Sequence, residues 1–104
     1  MDKQTIKSKL INFKRKISRD IIIQRFILFG SRAIGKSHKY SDIDLIIVSP
    51  EFRKLDFIQR GLKMYEYWDL KTPVDFLCYT PEEFQKLSKQ ITLVSKAIKE
   101  GIEL

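Results

Sequence analysis

Phe29-Gly30-Ser31-Arg32-Ala33-Ile34-Gly35 and then Ser41-Asp42-Ile43-Asp44-Leu45 are the stretches on which the reading of this chain turns. The apolar run Gln24–Phe29 reads as a buried strand that stops at Gly30-Ser31. A short helix is expected over Arg32–Lys36, then a polar loop over Ser37–Tyr40. Ser41–Ser49 reads as a second strand, which Pro50 ends because it cannot donate to a ladder. Leu45–Val48 is apolar at every position, so both faces of that strand should be covered.

Helical periodicity flanks these stretches on both sides. Ile6, Leu10, Phe13 and Ile17 recur at helical spacing and predict an amphipathic helix over roughly residues 3–18. Phe57, Ile58, Leu62, Tyr65 and Trp68 predict a second helix over about 55–68. Gly61 inside it suggests close packing against a neighbour. Lys71-Thr72-Pro73 breaks the pattern, and Val74–Cys78 reads as a third strand. Thr80-Pro81-Glu82-Glu83 is a capping box with Pro at the first helical position. Helix then runs to Glu100 with an interruption near Lys89–Ile91, and Gly101 is its stop. The order α-β-α-β-α-β-α predicts an α/β (α+β) fold, one small mixed sheet packed by helices. At 104 residues and 12.3 kDa, a single domain spanning 1–104 is expected.

Composition sets the boundaries of function. No apolar run approaches the ~18 residues of a membrane span, and no signal-peptide core follows Met1–Lys9, so a cytoplasmic location is expected. One cysteine, Cys78, and one histidine, His38, exclude a disulfide framework and a Cys/His zinc site. Cys78 reads as a small buried hydrophobe. The net charge is +7, and most of it sits in residues 1–25, where eight Lys/Arg oppose only Asp2 and Asp20. That segment reads either as a solvated helix face or as a dock for an acidic partner. Aromatic residues are not interleaved with it, which argues against single-strand nucleic-acid binding.

Asp42 and Asp44 are two residues apart on a strand, so they project to one face about 6.6 Å apart. Two ionised carboxylates at the start of an apolar strand repel each other unless a cation lies between them. Oxygen-only ligands with open positions suit Mg²⁺, which keeps waters and takes phosphate oxygens. Asp75, flanked by Val74 and Phe76, joins the same site if its strand pairs with Ser41–Ser49. Three such acids can hold two Mg²⁺ ions ~3.5–4 Å apart, the arrangement that serves in-line phosphoryl transfer. Gly30-Ser31 adds backbone N–H groups at a helix start, a natural phosphate cradle, and Arg32 could add a charged fork. The pattern fits neither a Walker loop nor a dinucleotide fingerprint.

Gly-Ser, ten residues, then Asp-x-Asp resembles the signature of the DNA polymerase β nucleotidyltransferase superfamily. Leu28–Ala33, Ser41–Leu45, Val74–Leu77 and Tyr79–Phe84 together look like its smallest branch, the minimal nucleotidyltransferases that partner HEPN-domain proteins. The resemblance implies that Asp42 and Asp44 hold both metal ions, with Mn²⁺ able to replace Mg²⁺. It implies that Asp75 completes the acceptor-side metal and helps deprotonate the attacking hydroxyl. Gly30 and Ser31 would bind the β/γ-phosphates of ATP or another NTP, with Arg32 beside them. Many relatives carry Arg where this chain has Ile34. The implied activity is transfer of AMP to a hydroxyl, such as a tyrosine of a HEPN toxin, by an antitoxin that assembles as a homo- or hetero-oligomer. A binding-only antitoxin and a nucleic-acid end-modifying enzyme are the alternatives. The short chain, with no added domain to hold a long nucleic acid, favours a protein acceptor.

Overall fold

A computed structural model describes residues 3–33 and 42–104. The expected helix beyond Ala33, the polar loop 37–40 and the side chain of Ser31 lie outside the described residues. The first helix, α1 (Lys3–Ile17), buries Ile6, Leu10, Phe13 and Ile17, the four positions its spacing selects. Strand β1 (Arg25–Phe29) runs into a single 3₁₀ turn, Gly30–Arg32. Strand β2 (Ile43–Val48) is followed by a 3₁₀ segment, Pro50–Lys54, and by α2 (Phe57–Tyr65). Then come β3 (Val74–Tyr79), α3 (Pro81–Ser88), α4 (Leu93–Glu100) and a two-residue β4 (Ile102–Glu103).

The four strands form one mixed sheet in the order β3-β2-β1-β4. β1 is antiparallel to both neighbours, whereas β2 and β3 are parallel. A parallel pair needs a crossover, and the 3₁₀ segment and α2 supply it. Alternation along β2 feeds two cores. Ile43, Leu45 and Ile47 join Phe13, Phe26 and Met64 on the α1/α2 side. Ile46 and Val48 join Phe84, Val94 and Ala97 on the α3/α4 side. Covering both faces is why the run 45–48 is apolar throughout. Phe13 anchors the first core, edge-on to Trp68 at 5.0 Å and stacked on Phe76 at 5.8 Å between ring centroids.

Several expectations are refined. Helix α2 starts at Phe57 behind its Asp56 cap and stops at Tyr65, where the N–H groups of Glu66, Tyr67 and Trp68 turn to the carbonyls three residues back, those of Lys63, Met64 and Tyr65. The Tyr65 hydroxyl donates to the Val74 carbonyl and the Trp68 indole to the Thr72 carbonyl, so both rings pin the approach to β3. Gly61 does not mark close packing: a Cβ there would meet nothing within 4 Å. The helical interruption is real, and Thr92 restarts the chain with its own capping box on Ser95. Gly101 ends α4, but by close approach rather than a left-handed turn. Its φ is −80°, and an added Cβ would lie 2.8 Å from Ile27 Cγ2 and 2.9 Å from the Leu28 carbonyl.

The basic first segment is partly used internally. Lys14 donates to the Leu104 carbonyl at 2.9 Å, and Lys16 pairs with Asp69 at 2.9 Å. Arg25 pairs with Glu103 and lies over the Phe84 ring. No described helix is long and apolar enough to cross a membrane.

Candidate active site

Sheet register assembles the site. Phe29 at the end of β1 pairs with Asp44, and Asp44 pairs across the parallel ladder with Asp75. Register partners share a face, so Asp44 and Asp75 stand side by side although 30 residues separate them in sequence. Both point to the α3/α4 side of the sheet, where they line a cleft of about 660 Å³. Asp75 is exposed, Asp44 half-buried, and Asp42 exposed just ahead of β2.

Gly30 closes the cleft floor. Its φ is +76°, which side-chain-bearing residues rarely adopt, and a Cβ there would collide with Asp44 Oδ2. The turn therefore brings bare backbone against the carboxylate, the setting in which phosphate can reach N–H groups. Arg32, the last residue of this turn, is buried and has a partner, and it does not line the cleft.

Electrostatics mark the acids as a crowded set. The Asp44 carboxyl is pushed above its ordinary value by burial first, then by the negative charges of Asp75 and Asp42. A cation placed among them relieves that repulsion, and oxygen-only donors suit a hard divalent ion. Among the described residues no three acidic, histidine or cysteine side chains close into a ready-made ligand cage. The site thus offers an open row of carboxylates whose charge and donor type fit Mg²⁺. Cys78 lies elsewhere, in the α1/α2 core, where burial pushes its thiol up to about 12 and leaves it inert.

The opposite wall was not legible in the sequence. Helix α4 lends Leu93, Lys96, Ala97 and Glu100 to the cleft. The signals that point there are the Thr92 cap, which fixes where α4 starts, and Gly101, which fixes where it ends. The apolar share of the lining comes from Phe29, Phe76, Leu77, Leu93 and Ala97.

Comparisons with known proteins identify the family and the fold. A family model described as a nucleotidyltransferase domain matches residues 8–100. A Haemophilus influenzae protein named as a probable protein adenylyltransferase, MntA, is 37% identical over 79 residues, covering 72% of this chain and 68% of its own. A solved toxin–antitoxin structure with AMP-PNP is similar at 26% identity and a TM-score of 0.56, covering 88% of this chain and 69% of that one. A candidate nucleotidyltransferase from Sulfolobus solfataricus shares the fold, with a TM-score of 0.62 at 17% identity, over 88% of this chain and 72% of its own. With strands, turn and acids in the order the sequence pattern requires, the chain belongs to the nucleotidyltransferase domain family and is an MntA-like nucleotidyltransferase.

Proposed function

We propose that this chain transfers AMP from ATP onto a hydroxyl of a protein partner, a tyrosine of a HEPN-domain toxin, and thereby acts as its antitoxin in the cytoplasm. The observation that carries the reading is the in-register pair Asp44–Asp75 beside Gly30, at the floor of one cleft. The likeness to a protein adenylyltransferase and to a toxin–antitoxin structure holding an ATP analogue supports the choice of nucleotide and partner class.

In this reading Asp42, Asp44 and Asp75 hold Mg²⁺, or Mn²⁺ in its place, which when bound neutralises phosphate charge in an in-line displacement. The backbone of Gly30 and Ser31 receives the β- and γ-phosphates. The acceptor oxygen attacks the α-phosphorus, the bond from that phosphorus to the bridging oxygen breaks, and pyrophosphate leaves. Asp75, the more exposed member of the in-register pair, takes the proton of the attacking hydroxyl. Positioning and charge neutralisation supply most of the rate.

The test is incubation with a HEPN-domain protein and [α-³²P]ATP. Label should move onto that protein and disappear when Asp42→Asn and Asp44→Asn are combined. A stable complex without label would make this a binding-only antitoxin. Label on RNA 3′ ends, with none on protein, would replace the proposal with nucleic-acid end modification.

A further inference from the structure

We infer that Lys96 is a nucleotide-binding residue, whose ammonium contacts the phosphates of the substrate from the α4 side of the cleft. The inference rests on the nucleotidyl-transfer reading and adds to it a residue outside the Gly-Ser and Asp-x-Asp pattern. Among the described residues lining the cleft, Lys96 is the one cation, facing Asp44, Asp75 and Glu100. It nonetheless forms no ion pair with any of these acids. Its nearest candidate on the helix, Glu100, lies four residues toward the C-terminus, the weaker order for such a pair. Glu100 also sits in the last turn, where the helix dipole disfavours negative charge. Glu100 therefore stands against the helix's own preference and leaves Lys96 without an acid partner in the cleft, so a polyanion bound with cations would use the ammonium.

Lys96 is also held in place. Gly101 N–H donates to the Ala97 carbonyl at 2.7 Å, and the absence of a side chain at Gly101 lets this corner press onto Ile27 and Leu28 of β1. Ala97 and Val94 do the packing, while Lys96 stays exposed. The strand on which α4 packs is the strand that runs into Gly30. One rigid element thus sets the span between the Gly30 turn and the Lys96 stem. An ammonium on a flexible four-carbon stem acts as a point charge for phosphate and demands no fixed fork geometry.

The experiment is calorimetric titration of the full chain with Mg²⁺ and a non-hydrolysable ATP analogue, beside Mg²⁺ and adenosine. Wild type, Lys96→Met and Lys96→Arg are compared, with melting temperatures as the check on folding. Lys96→Met should weaken the analogue on the order of tenfold to a hundredfold, the scale of a lost charge-assisted hydrogen bond. Lys96→Arg should retain most of the affinity, and adenosine should not distinguish the three proteins. Equal analogue affinity in wild type and Lys96→Met overturns the assignment while leaving nucleotidyl transfer standing. An equal loss for adenosine overturns it in favour of a base contact. If wild type binds no analogue with Mg²⁺ or Mn²⁺, the nucleotide reading itself falls, and the role of Lys96 falls with it.

Discussion

Gly30 and Asp44 occupy each other's space: the position a Cβ on Gly30 would take lies against the Asp44 carboxylate, with Cγ 3.3 Å away. The absence of a side chain at residue 30 is therefore a condition for the acid at residue 44 to point into the cleft. Gly30→Ala should cost roughly 1–2 kcal/mol through its left-handed backbone alone. The carboxylate, being the movable partner, should swing away. Urea denaturation of Gly30→Ala, Asp44→Ala and the double variant should reveal coupling of about 0.5 kcal/mol or more. Strict additivity would mean that the two residues do not contend for the same volume.

The raised Asp44 carboxyl makes a signed prediction about stability. An acid whose folded pKa exceeds its unfolded one favours folding while protonated, below its ordinary 3.8. That contribution is lost as pH rises through the folded value. At neutral pH, in EDTA, ionised Asp44 therefore weakens the fold, and Asp44→Asn should melt higher than wild type. The gap should close on acidification below about pH 4. Adding Mg²⁺ and ATP should raise the wild-type melting temperature and leave Asp44→Asn nearly unmoved. A lower melting temperature for Asp44→Asn in EDTA at pH 7 would assign Asp44 a structural hydrogen bond instead.

Asp75 is expected to serve the acceptor more than the nucleotide. Asp75→Asn should lower kcat by at least about tenfold with little change in KM for ATP, as when an interaction made only in the transition state is removed. Steady-state kinetics with a labelled acceptor would check this. Parallel loss of ATP affinity in Asp75→Asn and Asp42→Asn would contradict the division of labour.

Arg60 should prove the most sensitive position away from the cleft. It is buried, and its guanidinium donates to the carbonyls of Phe52, Leu55 and Cys78 and to Glu83. Arg60→Ala should cost about 3–5 kcal/mol in urea denaturation, since it strips the partner from buried acceptors. Arg60→Lys should recover little, because one ammonium cannot reach all four sites. Burial alone would raise the Glu83 carboxyl, yet the Thr80 N–H and Arg60 hold it below its ordinary 4.5. Its contribution is present above that value and is lost as pH falls through the folded pKa, so the α3 end of the fold should weaken in acid.

What the sequence made legible follows from the range of the forces involved. Ile6, Leu10, Phe13 and Ile17 reveal α1 because a period of 3.6 is a local signal repeated over 15 residues. Gly30, Asp42, Asp44 and Asp75 stand out because residue type and spacing alone tie them to phosphate and cation chemistry. β4 is two residues long and exists only through pairing with β1, so no local pattern announces it. Arg60 lies in a Gln-Arg-Gly context that reads as a wet helix face, and only the carbonyls brought together by tertiary folding explain its burial. Lys96 and Glu100 look like ordinary surface charges until α4 docks on β1 and turns them toward the acids.

The parallel pairing of β2 and β3 has a further consequence. Because the ladder itself sets Asp44 beside Asp75, the 25 residues from Ser49 to Pro73 inclusive bear no duty toward the acids beyond reconnecting two strand ends. None of them lines the cleft. Their outer surface, where Ile58 and Leu62 are exposed, is free to diverge in sequence and length while the chemistry stays constant. A shift of pairing by a single residue, in contrast, would turn Asp75 to the far side of the sheet and separate the two carboxylates in one step. In a lineage built on this frame, the crossover is where new surfaces can arise, and the strand register is what descent must preserve.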